Sequence, residues 1–134
     1  MSWENEYKSK LTTAEKAVEL IKSGNRVVIG HACAEPSYLV DAMVANAESY
    51  HDVEIVHMVA MGKAGYAQPG MESHFRHNAL FVGGTTRKAV AEGRGDYTPC
   101  FFYRIPSLFT NGSLPVDVAL VQATPPDENG NMSL

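Results

Sequence analysis

Apolar positions along the chain change period several times, and each change marks an element. Ala14, Ala17, Val18 and Ile21 recur at i, i+3, i+4 and i+7, which predicts a helix with one buried stripe. Thr12 and Glu15 have the spacing of a capping box, in which each side chain satisfies a free backbone N–H of the first turn. Gly24 supplies a left-handed stop. Arg26–Gly30 follows as a β-branched run without period-2 alternation, the pattern of a strand covered on both faces. From Pro36, the positions Leu39, Val40, Met43, Val44 and Ala47 restore the helical period. Val53–Val59 is a second strand, and its His57 reads as a hydrogen-bonded core residue ahead of a ligand.

Between Met61 and Asn78 the period disappears. Gly62, Gly65, Pro69 and Gly70 break the stretch, which is longer than an ordinary connection. His74, Arg76 and His77 cluster there as a solvated loop or a short helix with charged ends. They lack a recognisable metal-ligand spacing, Glu72 being the one carboxylate near them. Ala79–Val82 reads as a third strand. Gly83-Gly84-Thr85-Thr86 leads into a short helix, Arg87–Glu92, that Gly93 stops. The two glycines suit either a tight strand-to-helix turn or an anion held on free N–H groups, and they form neither a Rossmann fingerprint nor a P-loop. Pro99–Tyr103, led by Asp96-Tyr97-Thr98, reads as a fourth strand, Ile105–Asn111 as a helical turn closed by Asn111-Gly112, and Val116–Thr124 as a fifth strand. Pro125–Gly130 is a turn whose Asn129-Gly130 pair fits a hairpin where another strand follows. Strands and helices in this order give an α/β fold: an open, mainly parallel sheet with helices on both faces and right-handed crossovers. With Met132-Ser133-Leu134 just beyond a turn, the chain reads as a truncated N-terminal piece of a longer protein.

Composition narrows the class. The 134 residues suit one domain with a real core, and 45% apolar with 19% charged residues is ordinary for a globular protein. A net charge of −4, with no basic run longer than Arg87-Lys88, argues against nucleic-acid or anionic-membrane partners. No apolar run approaches the roughly 20 residues of a bilayer span, and MSWENEYKSK lacks the apolar core of a secretory signal. Cys33 and Cys100 stand far apart without a CxxC, which suits a reducing compartment. The expectation is a cytoplasmic protein.

Candidate chemistry gathers in VVIGHACAEP at 27–36, where a buried strand ends and a new helix can begin. Open α/β sheets build their ligand crevices at such strand ends, and His31, Cys33 and Glu35 stand there. Cys33 has no assigned base and reads as a small buried residue.

Four stretches then occur in a telling order: GHACAEPSYLVDAM at 30–43, HFRHNALFVGGTTRKAVAEGRGDYTP at 74–99, IPSLF at 105–109 and DVALVQATPPDENGNMSL at 117–134. Through them the chain resembles the N-terminal domain of the acetyl-CoA hydrolase/transferase family, in particular its 4-hydroxybutyrate and butyryl-CoA:acetate CoA-transferases. Ala34 stands where glycine commonly precedes the Glu-Pro pair of that family, a departure that narrows the pocket slightly. The resemblance implies a CoA-transferase (NagB/RpiA-like) half over residues 1–134 and a ping-pong transfer of CoA between carboxylic acids through a glutamyl-CoA thioester, a form of covalent catalysis. It places the nucleophilic glutamate and most of the CoA-binding glycines beyond Leu134, so this chain holds no catalytic residue and is expected to be inactive alone.

The same resemblance implies acyl-CoA and small carboxylates as partners, coenzyme A as a substrate rather than a covalently bound cofactor, no metal, and a homodimer at full length. His31 becomes the leading pocket candidate, donating to the acyl carboxylate or orienting the distant glutamate. Glu35 either holds His31 or caps the following helix. Gly83, Gly84, Thr85 and Arg87 complete the candidates, with Arg87 meeting a carboxylate, a CoA phosphate or a surface partner. Two competing readings are an acetyl-CoA hydrolase of the same fold, with water as acceptor, and a non-catalytic Rossmann-like binding module. The missing GxGxxG counts against the second.

Overall fold

The computed structural model describes residues 2–134. Two helices open the chain, α1 (Trp3–Lys10) and α2 (Ala14–Val18). Apolar periodicity does not mark α1, which buries no residue. Glu4 and Glu6 in its first turn and Lys8 and Lys10 in its last follow the helix dipole. Helix α2 begins at a different cap from the one the sequence suggests. Thr13, not Thr12, is the N-cap, and its hydroxyl accepts from the Lys16 N–H at 3.4 Å. Gly24 has φ +78°, as a left-handed stop requires.

The remaining elements are β1 (Arg26–Ile29), α3 (Ser37–Ala45), β2 (Val53–His57), β3 (Phe75–Ala79), α4 (Arg87–Ala91), β4 (Gly95–Tyr97), α5 (Ile105–Thr110) and β5 (Val118–Leu120). All strand pairs are parallel, in the order β4-β3-β2-β1-β5, with Val27 opposite both Ile55 and Val118. From β1 the chain builds outward through β2 and β3 to β4, then crosses back to lay β5 on the other side of β1. The topological switch point therefore lies between β1 and β5.

Three strands differ most from the sequence reading. β3 is Phe75–Ala79 rather than Ala79–Val82, so Arg76 and His77 are strand residues and not a solvated loop. Their polarity is absorbed by pairing: Arg76 clasps Asp96 at 2.6 Å and the His77 Nδ1–H donates to the Ile55 carbonyl at 3.2 Å. β4 is Gly95–Tyr97 and ends before Pro99, which has no N–H to extend the ladder. Phe101, Phe102 and Tyr103 are consequently exposed, in and beside a short 3-10 turn. β5 is the central part of the expected Val116–Thr124.

The two faces of the sheet are covered unequally. Helices α2, α3 and α4 lie over Val27, Ile29, Ile55 and Phe75, burying Val18, Val40, Met43 and Ala89 between the layers. Helix α5 is the cover on the other face, over Val28, Val56 and Leu80 through Ile105, Leu108 and Phe109. β1 accordingly alternates after all, with Val27 and Ile29 buried while Arg26 and Val28 are half-buried. Where α5 does not reach, a polar row crosses the strands. Arg26 donates to Glu54 at 2.6 Å, Asn78 to the other Glu54 oxygen at 2.7 Å, and the Thr98 hydroxyl to Asn78 at 2.8 Å.

Beyond β5 the tail turns back on itself around Asn129-Gly130. The Thr124 N–H donates to the Ser133 carbonyl at 2.8 Å, and Gly130 has φ +81°.

Candidate functional site

β1 stops at Ile29 because the next residue must pass close to two backbones. The Gly30 N–H donates to the Leu120 carbonyl at 2.9 Å, and a Cβ at Gly30 would come within 2.8 Å of the Ala34 carbonyl oxygen. Ala32 then adopts φ +55° and opens the tight turn Ala32–Ala34. This turn leaves His31 exposed at the carboxyl end of the strand, edge-on to Phe102 with ring centroids 6.1 Å apart.

His31 sits at the rim of a cleft of about 350 Å³ on the α5 side of the sheet. Val28, Val56, Met58, Phe102 and Phe109 line it, and only His31 and Tyr103 bring polar side-chain atoms. An apolar cleft with one or two orienting polar groups is the usual make-up of a small-molecule site. A second crevice of about 220 Å³ lies at the switch point between β1 and β5, lined by Cys33, Ala34, Gln122 and Thr124. Cys33 is exposed there, on the outside of the Ala32–Ala34 turn, and not buried as its residue type suggests.

Glu35 does neither of the two things expected of it. Helix α3 has no side-chain cap, and Glu35 makes no hydrogen bond or ion pair with His31 among the described residues. Its buried carboxylate turns inward, where Oε2 accepts from the Met61 N–H at 2.8 Å and the Gly62 N–H at 3.0 Å. Glu35 thus ties the loop after β2 to the loop after β1. The Ala32 N–H adds a second tie to the Val59 carbonyl at 2.9 Å, and the Thr85 hydroxyl a third to the Ala60 carbonyl at 3.2 Å. His31, Glu35 and Thr85 therefore belong to one laced crest over the sheet.

Gly83, Gly84 and Arg87 stand apart from it. Open space surrounds the position of a Cβ at either glycine, and neither has a positive φ; Gly84 is exposed and its backbone is free to be approached closely, whereas Gly83 is buried. The Arg87 side chain is exposed and forms no hydrogen bond or ion pair among the described residues.

Beneath the crest lies a polar group that sequence reasoning placed in the core without its partners. The His57 Nδ1 is 2.8 Å from the Tyr66 hydroxyl, and its Nε2 is 3.9 Å from the Glu35 carboxylate. Burial lowers the His57 pKa, and the Glu35 charge opposes that shift. Burial raises the Tyr66 pKa, with Glu35 adding to it. Tyr66 lay in the aperiodic stretch after Met61, where nothing but its aromatic character set it apart. Among the described residues no three His, Cys, Asp or Glu side chains are placed to hold a metal ion, and no helix is long and apolar enough to cross a membrane.

Comparison with known proteins puts these features in a family. Residues 1–134 match the acetyl-CoA hydrolase/transferase N-terminal domain. The chain is 61% identical over 133 residues to the 4-hydroxybutyrate coenzyme A transferase of Clostridium kluyveri, covering 99% of this chain and 31% of that protein. It is 36% identical over 125 residues to the succinyl-CoA:acetate/propanoyl-CoA:succinate CoA transferase of Fasciola hepatica, covering 92% of this chain and 26% of that one. The crystal structure of a 4-hydroxybutyrate CoA-transferase from Porphyromonas gingivalis superposes with a TM-score of 0.73 at 31% identity, over 95% of this chain and 28% of that chain. This chain thus spans less than a third of the length of these relatives. Motif order, strand topology and identity over nearly its whole length agree, and the chain belongs to the acetyl-CoA hydrolase/transferase family as its N-terminal domain.

Proposed function

We propose that the whole protein moves CoA between a short-chain acyl-CoA (4-hydroxybutyryl-, butyryl- or acetyl-CoA) and acetate, and that this chain forms the wall receiving the acyl group. The observation that carries this reading is the apolar cleft at the carboxyl ends of β1 and β2 with His31 at its rim. Its aliphatic and aromatic lining suits a short alkyl chain, and the imidazole suits the carboxyl end.

The reaction begins with a glutamate carboxylate, supplied by sequence beyond Leu134, attacking the thioester carbonyl. The C–S bond breaks, CoA leaves as thiolate, and an acyl–glutamyl anhydride remains. The thiolate then attacks the glutamyl carbonyl, releasing the first carboxylate and leaving a glutamyl-CoA thioester. Acetate repeats both steps in reverse order and departs as acetyl-CoA, restoring the glutamate. His31 donates to the carboxylate oxygens as they enter and leave, and the cleft keeps water from the anhydride. By this account the chain alone turns over no substrate.

Incubating the full-length protein with butyryl-CoA, with and without acetate, tests the reading. Acetyl-CoA should appear only when acetate is present. Free CoA released without acetate would make the enzyme a hydrolase and overturn the transferase reading.

A further inference from the structure

We propose that Glu35 is a positioning residue, whose buried carboxylate clasps the loop after β2 to the loop after β1 and thereby fixes where His31 stands beside the acyl cleft. The inference rests on the transferase reading for its activity assay, while the clasp itself rests on geometry.

The Glu35 side chain is 4% exposed, so its carboxylate must find donors inside the protein. It finds them on one oxygen. Oε2 takes the Met61 and Gly62 N–H groups at 2.8 and 3.0 Å, and the His57 Nε2 approaches the same oxygen at 3.9 Å. The His57 Nδ1 pairs with the Tyr66 hydroxyl at 2.8 Å, which leaves the Nε2 side of the ring toward Glu35. The two backbone N–H groups hold the carboxylate, and the buried His57 ring closes off a third side of it.

Gly62 is the counterpart of this arrangement, because a Cβ there would run into the Glu35 carboxylate. Pro36, buried and directly before α3, fixes the backbone from which the carboxylate projects. His31 is four residues upstream on the same turn, with no hydrogen bond of its side chain to hold it among the described residues. Its place is set by the turn, and the turn is set by the ties to Val59, Met61 and Gly62. Releasing the strongest of these lets His31 drift against Phe102, and a displacement of about 1 Å in a positioned group can cost about a hundredfold in rate.

The test is made on the full-length enzyme. Glu35→Ala should lower kcat by about tenfold or more while KM for the CoA thioester stays within about twofold, the mark of lost geometry rather than lost binding. Glu35→Gln should restore kcat to within about threefold, since one carbonyl oxygen is enough for both N–H groups. Gly62→Ala breaks the clasp from the other side with Glu35 intact, so the test holds even where Glu35→Ala fails to fold. It should reproduce the Glu35→Ala effect, and the double variant should be no slower than either single one. Hydrogen exchange at the Met61 and Gly62 amides should accelerate in the Glu35→Ala and Gly62→Ala proteins and not in Glu35→Gln.

Accelerated exchange with wild-type kcat would overturn the positioning role. A Gln variant as slow as Ala would overturn it too, as would two losses that multiply. A wild-type protein that transfers no CoA refutes the transferase reading instead, and the amide exchange then decides the clasp without it.

Discussion

Replacing His77 by Gln should flatten the acid limb of this chain's stability curve. His77 is 1% exposed in β3, its Nδ1–H donates to the Ile55 carbonyl at 3.2 Å, and its Nε2 has no hydrogen-bond partner. Charging the ring means placing a proton on Nε2 where nothing can receive it. Burial lowers the pKa from 6.5 to about 4, the Ile55 carbonyl opposing this and His57 adding a smaller push in the same direction. Below pH 6.5 the unfolded chain therefore binds a proton that the folded chain refuses. The stability at stake is complete above pH 6.5 and falls as pH drops toward 4. The slope is about 1.4 kcal/mol per pH unit and the total about 3 kcal/mol. His57 shifts in the same direction, so it steepens the wild-type slope further. Asp96 is held below its ordinary 3.8 by the Arg76 side chain, so its loss belongs to more acid conditions and leaves this window clear. Gln keeps a donor for Ile55 and cannot titrate. Urea unfolding at about pH 7, 5.5 and 4.5 should show wild type losing about 2 kcal/mol more than the variant over that range. Equal losses in the two proteins, or a His77 ring titrating near 6.5 by NMR, would refute the reasoning.

Three further outcomes follow from the geometry. His31→Ala in the full-length enzyme should cut turnover by about a hundredfold or more, with the melting temperature unchanged because the ring is exposed; wild-type turnover with unchanged KM values removes His31 from the site. Gly30→Ala should cost about 1–3 kcal/mol in denaturant unfolding, since its Cβ meets the Ala34 carbonyl at 2.8 Å and backbone cannot step aside cheaply. An unchanged midpoint would show that the turn relaxes. Tyr66→Phe leaves the His57 Nδ1 without its partner at 2.8 Å and should cost about 1–3 kcal/mol, whereas a neutral result would show that the ring pair adds nothing to stability.

Sequence reasoning succeeded where burial and spacing coincide. α3 carries apolar residues at helical spacing toward the sheet, Asn111-Gly112 closes the turn that became α5, and β1 is a run of β-branched residues, so all three were legible. It failed where polar residues are paired across strands. Arg76, His77 and Asn78 look like loop in one dimension and are strand in three, because Asp96, Ile55 and Glu54 complete their hydrogen bonds from neighbouring strands. Those partners lie 20, 22 and 24 residues away, beyond any local pattern. Glu35 went astray for the same reason. Its donors are the backbone N–H groups of Met61 and Gly62, which no residue letter announces, although Gly62 hinted that something must come close. Helix α1 escaped because it has no buried face to create a period, and only its charge order identifies it. The position of His31 was legible because strand end, glycine and small-residue turn occur together; Cys33 was misplaced because residue type alone does not say which side of a turn faces out.

The polar row from Arg26 through Glu54 and Asn78 to Thr98 also answers a question that the apolar core leaves open. Sliding β1 past β2 by one residue turns every side chain to the wrong face, and burial forbids it. Sliding it by two keeps each valine and isoleucine on its proper face, so greasy contact alone scarcely tells the two alignments apart. The row does. In the native register Arg26 faces Glu54 and Val28 faces Val56; two steps away, Arg26 would face Val56 and Glu54 would lose its partner. Each donor or acceptor stranded in that way costs about 1–3 kcal/mol. Valines and isoleucines choose the face, and four polar side chains index the strands, so the mouth of the apolar cleft is assembled from strand ends that arrive level.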